Sequence, residues 1–141
     1  MNSGARIYVV LPQTVETPGG WVIQPPGRQA EQACHVTAKL RHELGLTTMD
    51  SKDGELTVPV YEDYTTIILA ARDSHEMMHV YNLFVKQKMQ RNMTFFSDHN
   101  PGAYGSDFRP ITALAIYTLP KKTVGILDYL PLWDGHLKGN V

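Results

Sequence analysis

The chain has 141 residues, 43% hydrophobic and 19% charged, with 11 Gly and 9 Pro. This is the profile of one compact soluble domain, 1–141, whose core needs neither disulfides nor a structural metal. Thirteen Lys plus Arg against fourteen Asp plus Glu give a formal charge of −1, which excludes a chain-wide electrostatic grip on nucleic acid and leaves room only for a local basic face. The single Cys34 excludes an internal disulfide or a cysteine-rich zinc site and makes a cytoplasmic location the expectation.

Met1 to Arg6 lacks the basic region and long apolar stretch of a signal peptide, so the whole chain is read as mature. Arg6-Ile7-Tyr8-Val9-Val10-Leu11-Pro12 is β-branched and aromatic and stops at a proline, which predicts a buried central strand. Gln13 to Gly27 collects Thr, Pro and Gly and reads as a connection, with a short extended piece at Trp21-Val22-Ile23. From Arg28 to Leu44, Ala30, Ala33, Cys34, Thr37, Leu40 and Leu44 recur at helical spacing, and Gly45 supplies a left-handed cap. Thr47 to Asp63 is a polar excursion with a turn at Asp50–Gly54 and a strand at Glu55 to Val60.

A second buried strand spans Tyr64 to Ala71, and Asp73 or Ser74 caps a helix to about Arg91, with Met77, Val80, Tyr81, Phe84 and the stem of Lys88 along one stripe. Met93 to Ser97 and Ile111 to Leu119 read as strands separated by a Gly/Pro/Asn loop, and a short helix near Lys121 to Leu130 closes the domain. The apolar runs fall far short of the roughly 20 residues that span a bilayer, so no membrane contact is expected. Strands alternating with helices give an α/β layered fold around a mixed, mostly four-stranded sheet.

Two motifs are set aside. His75-Glu76-Met77-Met78-His79 matches the zinc-binding pattern H-E-x-x-H, yet the helical repeat turns both imidazoles away from the Met77, Tyr81 and Phe84 stripe and into solvent. No metal is expected there. His99-Asn100-Pro101-Gly102-Ala103-Tyr104-Gly105 loosely resembles the N-P-G-x-x-Y loop of the bacterial-type peptidyl-tRNA hydrolases, but in that family the loop follows the first strand, so here it reads as a Pro/Gly turn.

Arg28, Gln32, His35, Lys39 and His42 lie within about 80° of one another on the first helix and read as its wet stripe. Ahead of them Pro25-Pro26-Gly27-Arg28 places free backbone N–H groups, a positive dipole end and a guanidinium together, which suits phosphate or a developing oxyanion.

Gly27-Arg28-Gln29-Ala30-Glu31-Gln32-Ala33-Cys34-His35-Val36 resembles the G-K-x-A-A-Q-C-S/G-H-A signature of the type II peptidyl-tRNA hydrolases, with Gly27, Ala30, Gln32 and His35 matching outright. Ile7 to Leu11 resembles that family's opening strand, Thr112-Ala113-Leu114-Ala115-Ile116 its T-V-L-A-I strand, and Val124 to Leu132 its closing helix and L-x-L tail. Two departures stand out. Arg28 replaces the signature lysine and cannot trade protons near neutrality, and of the D-A-G-x-T loop only Asp98 remains.

The resemblance implies hydrolysis of the ester joining a peptide or N-blocked aminoacyl group to tRNA, in a homodimer and without cofactor. It assigns Arg28, His35 and Asp98 to catalysis, as oxyanion or phosphate contact and as water orienter or base, and Gly27, Gln32 and Thr112 to binding and positioning the substrate. The alternative is a non-catalytic protein of the same fold that binds RNA or a protein partner.

Overall fold

The computed structural model describes residues 4–52, 56–61, 64–105 and 107–135. A mixed four-stranded sheet is built from β1 (Arg6–Pro12), β6 (Thr66–Ala71), β7 (Met93–Ser97) and β8 (Ile111–Thr118), in the order β6-β1-β8-β7. β1 runs parallel to β6 and antiparallel to β8, and β7 is antiparallel to β8. Between β1 and β6 the chain inserts a hairpin, β2 (Thr14–Thr17) and β3 (Gly20–Ile23), then helix α1 (Pro26–Glu43), then a second hairpin, β4 (Thr47–Lys52) and β5 (Leu56–Tyr61). Helix α2 (Ser74–Lys86) joins β6 to β7, and one helical turn, α3 (Pro101–Tyr104), interrupts the connection from β7 to β8.

The unbroken apolar run of β1 has a simple cause: it is covered on both faces. Ile7, Val9 and Leu11 pack with Ala113 and Ala115 under Ala33, Val36 and Leu40 of α1. Tyr8 and Val10 pack with Leu114 and Ile116 under Met77, Val80 and Phe84 of α2, with Ile126, Leu127 and Leu130 from the C-terminal segment beside them. Each fully buried side chain of this size contributes about 2 kcal/mol, and that burial fixes which face each helix turns inward.

Several expectations change. α2 stops at Lys86, and Lys88, at φ 60, is in the left-handed region, so its stem does not extend the buried stripe. The closing helix is absent: Pro120–Thr123 form a 3-10 turn, and Gly125 at φ 81 turns the chain again before an α-helix can form. The connection after β1 holds a complete hairpin, because Thr14–Thr17 pairs with the short extended piece anticipated at Trp21–Ile23. Thr47–Lys52 is likewise a strand, paired with Leu56–Tyr61. The rest of the turn placed at Asp50–Gly54, together with Glu55, lies outside the described residues. Gly45 does carry the left-handed φ of 67 expected after α1.

Candidate functional site at the start of the first helix

α1 begins without the usual side-chain cap. Its N-cap is Pro25, at φ −61 and ψ 154, its first turn holds no acidic residue, and Pro26 contributes no N–H. Gln29 N–H closes the first hydrogen bond onto Pro25 O at 2.9 Å. The N–H groups of Gly27 and Arg28 have no partner among the described residues. A Cβ on Gly27 would meet nothing within 4 Å, so packing does not require glycine here; its bareness leaves the helix dipole's positive end open to an anion.

Beside this opening, four side chains form a chain of contacts. Arg28 Nη1 donates to Gln24 Oε1 at 3.3 Å and its guanidinium lies 5.7 Å from the centroid of the Tyr104 ring. Gln24 Nε2 donates to the Tyr104 hydroxyl at 2.9 Å. Asp98 lies within Coulombic reach of the same hydroxyl. Arg28 thus donates to the Gln24 side-chain carbonyl, and Gln24 and Tyr104 hold each other through both amide atoms, the hydroxyl also able to donate to Gln24 Oε1 at 3.0 Å. Burial raises the Tyr104 pKa above its ordinary 10.0, with Asp98 adding to the rise and the Gln24 hydrogen bond and Arg28 opposing it. The phenol therefore remains a proton donor throughout the neutral range.

The loop sequence explains how Tyr104 arrives. Asn100 Oδ1 accepts from Ala103 N–H at 3.3 Å, Pro101 occupies the first helical position, and Gly105 at φ 101 ends the turn. Asn-Pro-Gly-Ala-Tyr is thus a capped helical turn that carries a buried aromatic. Asp98 is anchored from the other side, its N–H donating to Pro110 O at 3.0 Å.

Behind this chain lies a second polar layer. The pairing of β7 with β8 slips between Phe96 and Ser97, which face Ala113 and Ile111, leaving Thr112 as the extra residue of a bulge. The bulge re-aims the Thr112 hydroxyl toward α1, where it donates to Gln32 Oε1 at 2.9 Å. Gln32 is fully buried and its Nε2 has no partner among the described residues. Gln29, also buried, donates to Gln24 O at 2.6 Å and accepts from Trp133 Nε1 at 2.8 Å. The stripe expected to be wet is therefore dry at Gln32, because α1 buries positions 29, 32, 33, 36 and 40.

The expected site residues separate into two groups. Gly27, Arg28 and Asp98 meet at the start of α1, with the Gln32–Thr112 pair behind them. His35 lies two turns further along, half exposed, stacked on Phe96 at 4.7 Å and 4.0 Å from Glu31. Gln24 escaped sequence reading, and Tyr104 entered it only as part of a Pro/Gly turn. The signal for Tyr104 was present, an Asn-Pro helix start three residues before a lone aromatic; nothing marked Gln24. A cleft of about 580 Å³ adjoins the cluster, with Tyr104 in its wall, between Gly19 and Val22 of the first hairpin and Gly105 and Phe108 of the α3 loop.

The H-E-x-x-H residues do other work. His75 and His79 are both exposed. Asp73 Oδ1 accepts from Glu76 N–H at 2.9 Å, and Glu76 Oε1 accepts from Arg72 N–H at 2.8 Å, so the motif's glutamate belongs to a helix cap. His75 Nε2 lies 3.0 Å from Glu16 Oε1, tying α2 to the first hairpin. Among the described residues no helix is long and apolar enough to cross a membrane.

No protein-family model and no curated protein matches this chain. Among solved structures it is similar to the protein of unknown function Atu0240 from Agrobacterium tumefaciens strain C58, with a TM-score of 0.58 over 93% of this chain and 98% of that one, at 9% identity. That likeness supports the fold alone: an α/β domain in which a mixed four-stranded sheet is layered between helices.

Proposed function

We propose that the protein hydrolyses the ester of peptidyl-tRNA or N-blocked aminoacyl-tRNA, in the cytoplasm and without a cofactor. The observation that carries this reading is the meeting of Arg28 and Asp98, through Gln24 and Tyr104, at the uncapped start of α1. Ester hydrolysis needs a water aimed at a carbonyl carbon and positive charge where the oxyanion forms. The Asp98 carboxylate, half buried and close to Tyr104, orients the water. Arg28 and the N–H groups of Gly27 and Arg28 face the oxyanion or the adjoining phosphate. Gln24 and Tyr104 act as positioning residues, since they hold the Arg28 guanidinium on the side where Asp98 lies. Gln32 and Thr112 support the helix at this end, and His35 on its Phe96 platform is placed for contact with RNA more readily than for proton transfer at the ester.

A second reading has its own observation. Arg28 is already clamped between Gln24 and Tyr104, an arrangement that also suits a module that grips RNA without cleaving it. Turnover decides between them. Wild-type protein is expected to release N-acetyl-phenylalanine from its tRNA ester above background, Arg28→Lys to retain the activity, and Arg28→Ala to lose about 100-fold, or about 3 kcal/mol. Equal rates for wild type and Arg28→Ala would remove the hydrolytic reading; tRNA binding without turnover would establish the second.

A further inference from the structure

The first hairpin leaves one edge unpaired, and its geometry specifies what can pair with it. Gln24 N–H donates to Gln13 O at 2.8 Å. In an antiparallel ladder hydrogen-bonded and non-bonded pairs alternate, so Val15 and Val22 form a bonded pair, while Glu16 opposite Trp21 and Thr14 opposite Ile23 do not. The N–H and C=O groups of these non-bonded positions point away from the hairpin. On β2 that edge is used: Glu16 N–H donates to Ser74 Oγ at 3.2 Å, and His75 closes over it. On β3 the outward groups of Trp21 and Ile23 have no partner among the described residues.

Three features surround this open edge. On the outer face Trp21 and Ile23 are 49% and 42% exposed, unusual for large apolar side chains. On the inner face Val22 lines the cleft that Tyr104 and Phe108 share. At its end β3 runs directly into Gln24 and the open start of α1, where the ester of the proposed reaction would lie. Alternating donors and acceptors at two-residue spacing, with one apolar face and one pocket, are complementary to an extended peptide backbone.

We infer that the edge of β3 binds an extended peptide as an added strand, and that, granted the proposed hydrolysis, this peptide is the acyl part of peptidyl-tRNA. The edge is four residues long, about 13 Å at 3.3 Å per residue, so it takes three to four residues of the substrate. With its esterified end at Arg28 the peptide runs parallel to β3. Alternate side chains enter the cleft or cross Trp21 and Ile23, which makes the site a reader of peptide backbone and length, with a preference for apolar residues at every second position.

Two measurements test this, the first independent of any hydrolysis. The first titrates the folded protein with an acetylated tetrapeptide amide of alternating Thr and Val, followed by backbone amide NMR. Shifts are expected at residues 20–23, with affinity falling roughly tenfold when two alternate peptide nitrogens are methylated. Ile23→Pro removes an outward N–H that the hairpin ladder does not use and is expected to cost a similar factor, whereas Ile23→Ala, which keeps the N–H, costs less. The methylated peptide leaves the protein untouched, so the result does not hang on how Ile23→Pro folds. The second compares N-acetyl-aminoacyl-tRNA with N-acetyl-tetrapeptidyl-tRNA, where the longer ester is expected to have the lower KM by roughly tenfold. Peptide binding at the edge without hydrolysis of either ester would sustain strand addition and sink the tRNA assignment. Equal KM values with no amide shifts at 20–23 would sink strand addition and leave the hydrolysis standing.

Discussion

The starts of the two long helices are built in opposite ways. At α2 the first turn is capped by acidic side chains: Asp73 takes the Glu76 N–H, Glu76 takes the Arg72 N–H, and the Glu76 carboxylate pairs with the Arg72 side chain at 3.2 Å, which leaves the N–H groups of Ser74 and His75 under a carboxylate cap. At α1 the cap is a proline, the first turn has no acid, and two N–H groups remain open beside a guanidinium. The buried faces differ in the same sense. α2 buries Met77, Val80 and Phe84, all apolar, whereas α1 buries the amides of Gln29 and Gln32 among its core residues. One helix start carries its own negative charge, and the other has none, so that a ligand's charge can supply it. The H-E-x-x-H match falls on the capped helix, and the proposed chemistry on the other.

The contrast is sharpest at Thr112. Its hydroxyl is the sole partner of the buried Gln32 amide among the described residues, so Thr112→Val strands that amide and is expected to lower stability by about 1–3 kcal/mol in urea unfolding. Adding Gln32→Leu should recover most of the loss, because the pair is then apolar and about the same size, while hydrolysis falls. A neutral Thr112→Val would show that the α1 face does not depend on this hydrogen bond, and the difference between the two buried faces would shrink to composition.

That result also bears on what the sequence could reveal. β1, β6, β7 and β8 were legible because strands covered on both faces, or held at a sheet edge over an apolar core, are apolar and β-branched. The direction of α1 was less so. Ala30 and Thr37 looked like core and Gln32 like surface, since residue type is a proxy for burial and fails when a tertiary partner satisfies a polar group inside. The Thr112 bulge, which supplies that partner, leaves no trace in periodicity. Arg28 and Asp98 could be named from the sequence, but their connection through Gln24 and Tyr104 joins residues about eighty positions apart and exists only once the α3 turn has packed against the hairpin. The missing closing helix has a local cause, since Pro120 and Gly125 bracket a stretch too short to propagate one.

The closed helix start offers a test of the next size. Asp73→Ala removes the acceptor of the Glu76 N–H and is expected to cost about 1 kcal/mol, the usual worth of an N-cap, with no change in ester hydrolysis once the loss of folded protein is allowed for. Thermal unfolding followed by circular dichroism reads the first quantity, and turnover at a temperature where the variant is fully folded reads the second. A fall in turnover would mean that α2's start takes part in the site after all, by way of the His75–Glu16 contact with the hairpin.

The smallest stability effect belongs to the converse experiment, closing the open helix start with Pro25→Asp. Pro25 already has the extended backbone that an N-cap requires, so an aspartate there can accept from the N–H of Gly27 or Arg28 and meet the positive end of the helix, gains of about 0.5–1 kcal/mol. Losing proline restores freedom to the unfolded chain and costs about 0.4–1 kcal/mol. The two nearly cancel, leaving a net change within about 0.5 kcal/mol. Function should not be spared in the same way. The new carboxylate sits where an oxyanion or phosphate would, taking up the free N–H groups and drawing on Arg28, and hydrolysis is expected to drop at least tenfold with unfolding almost unmoved. If turnover survives Pro25→Asp, the open start of α1 is only an uncapped helix, and the asymmetry between the two helices carries no functional meaning.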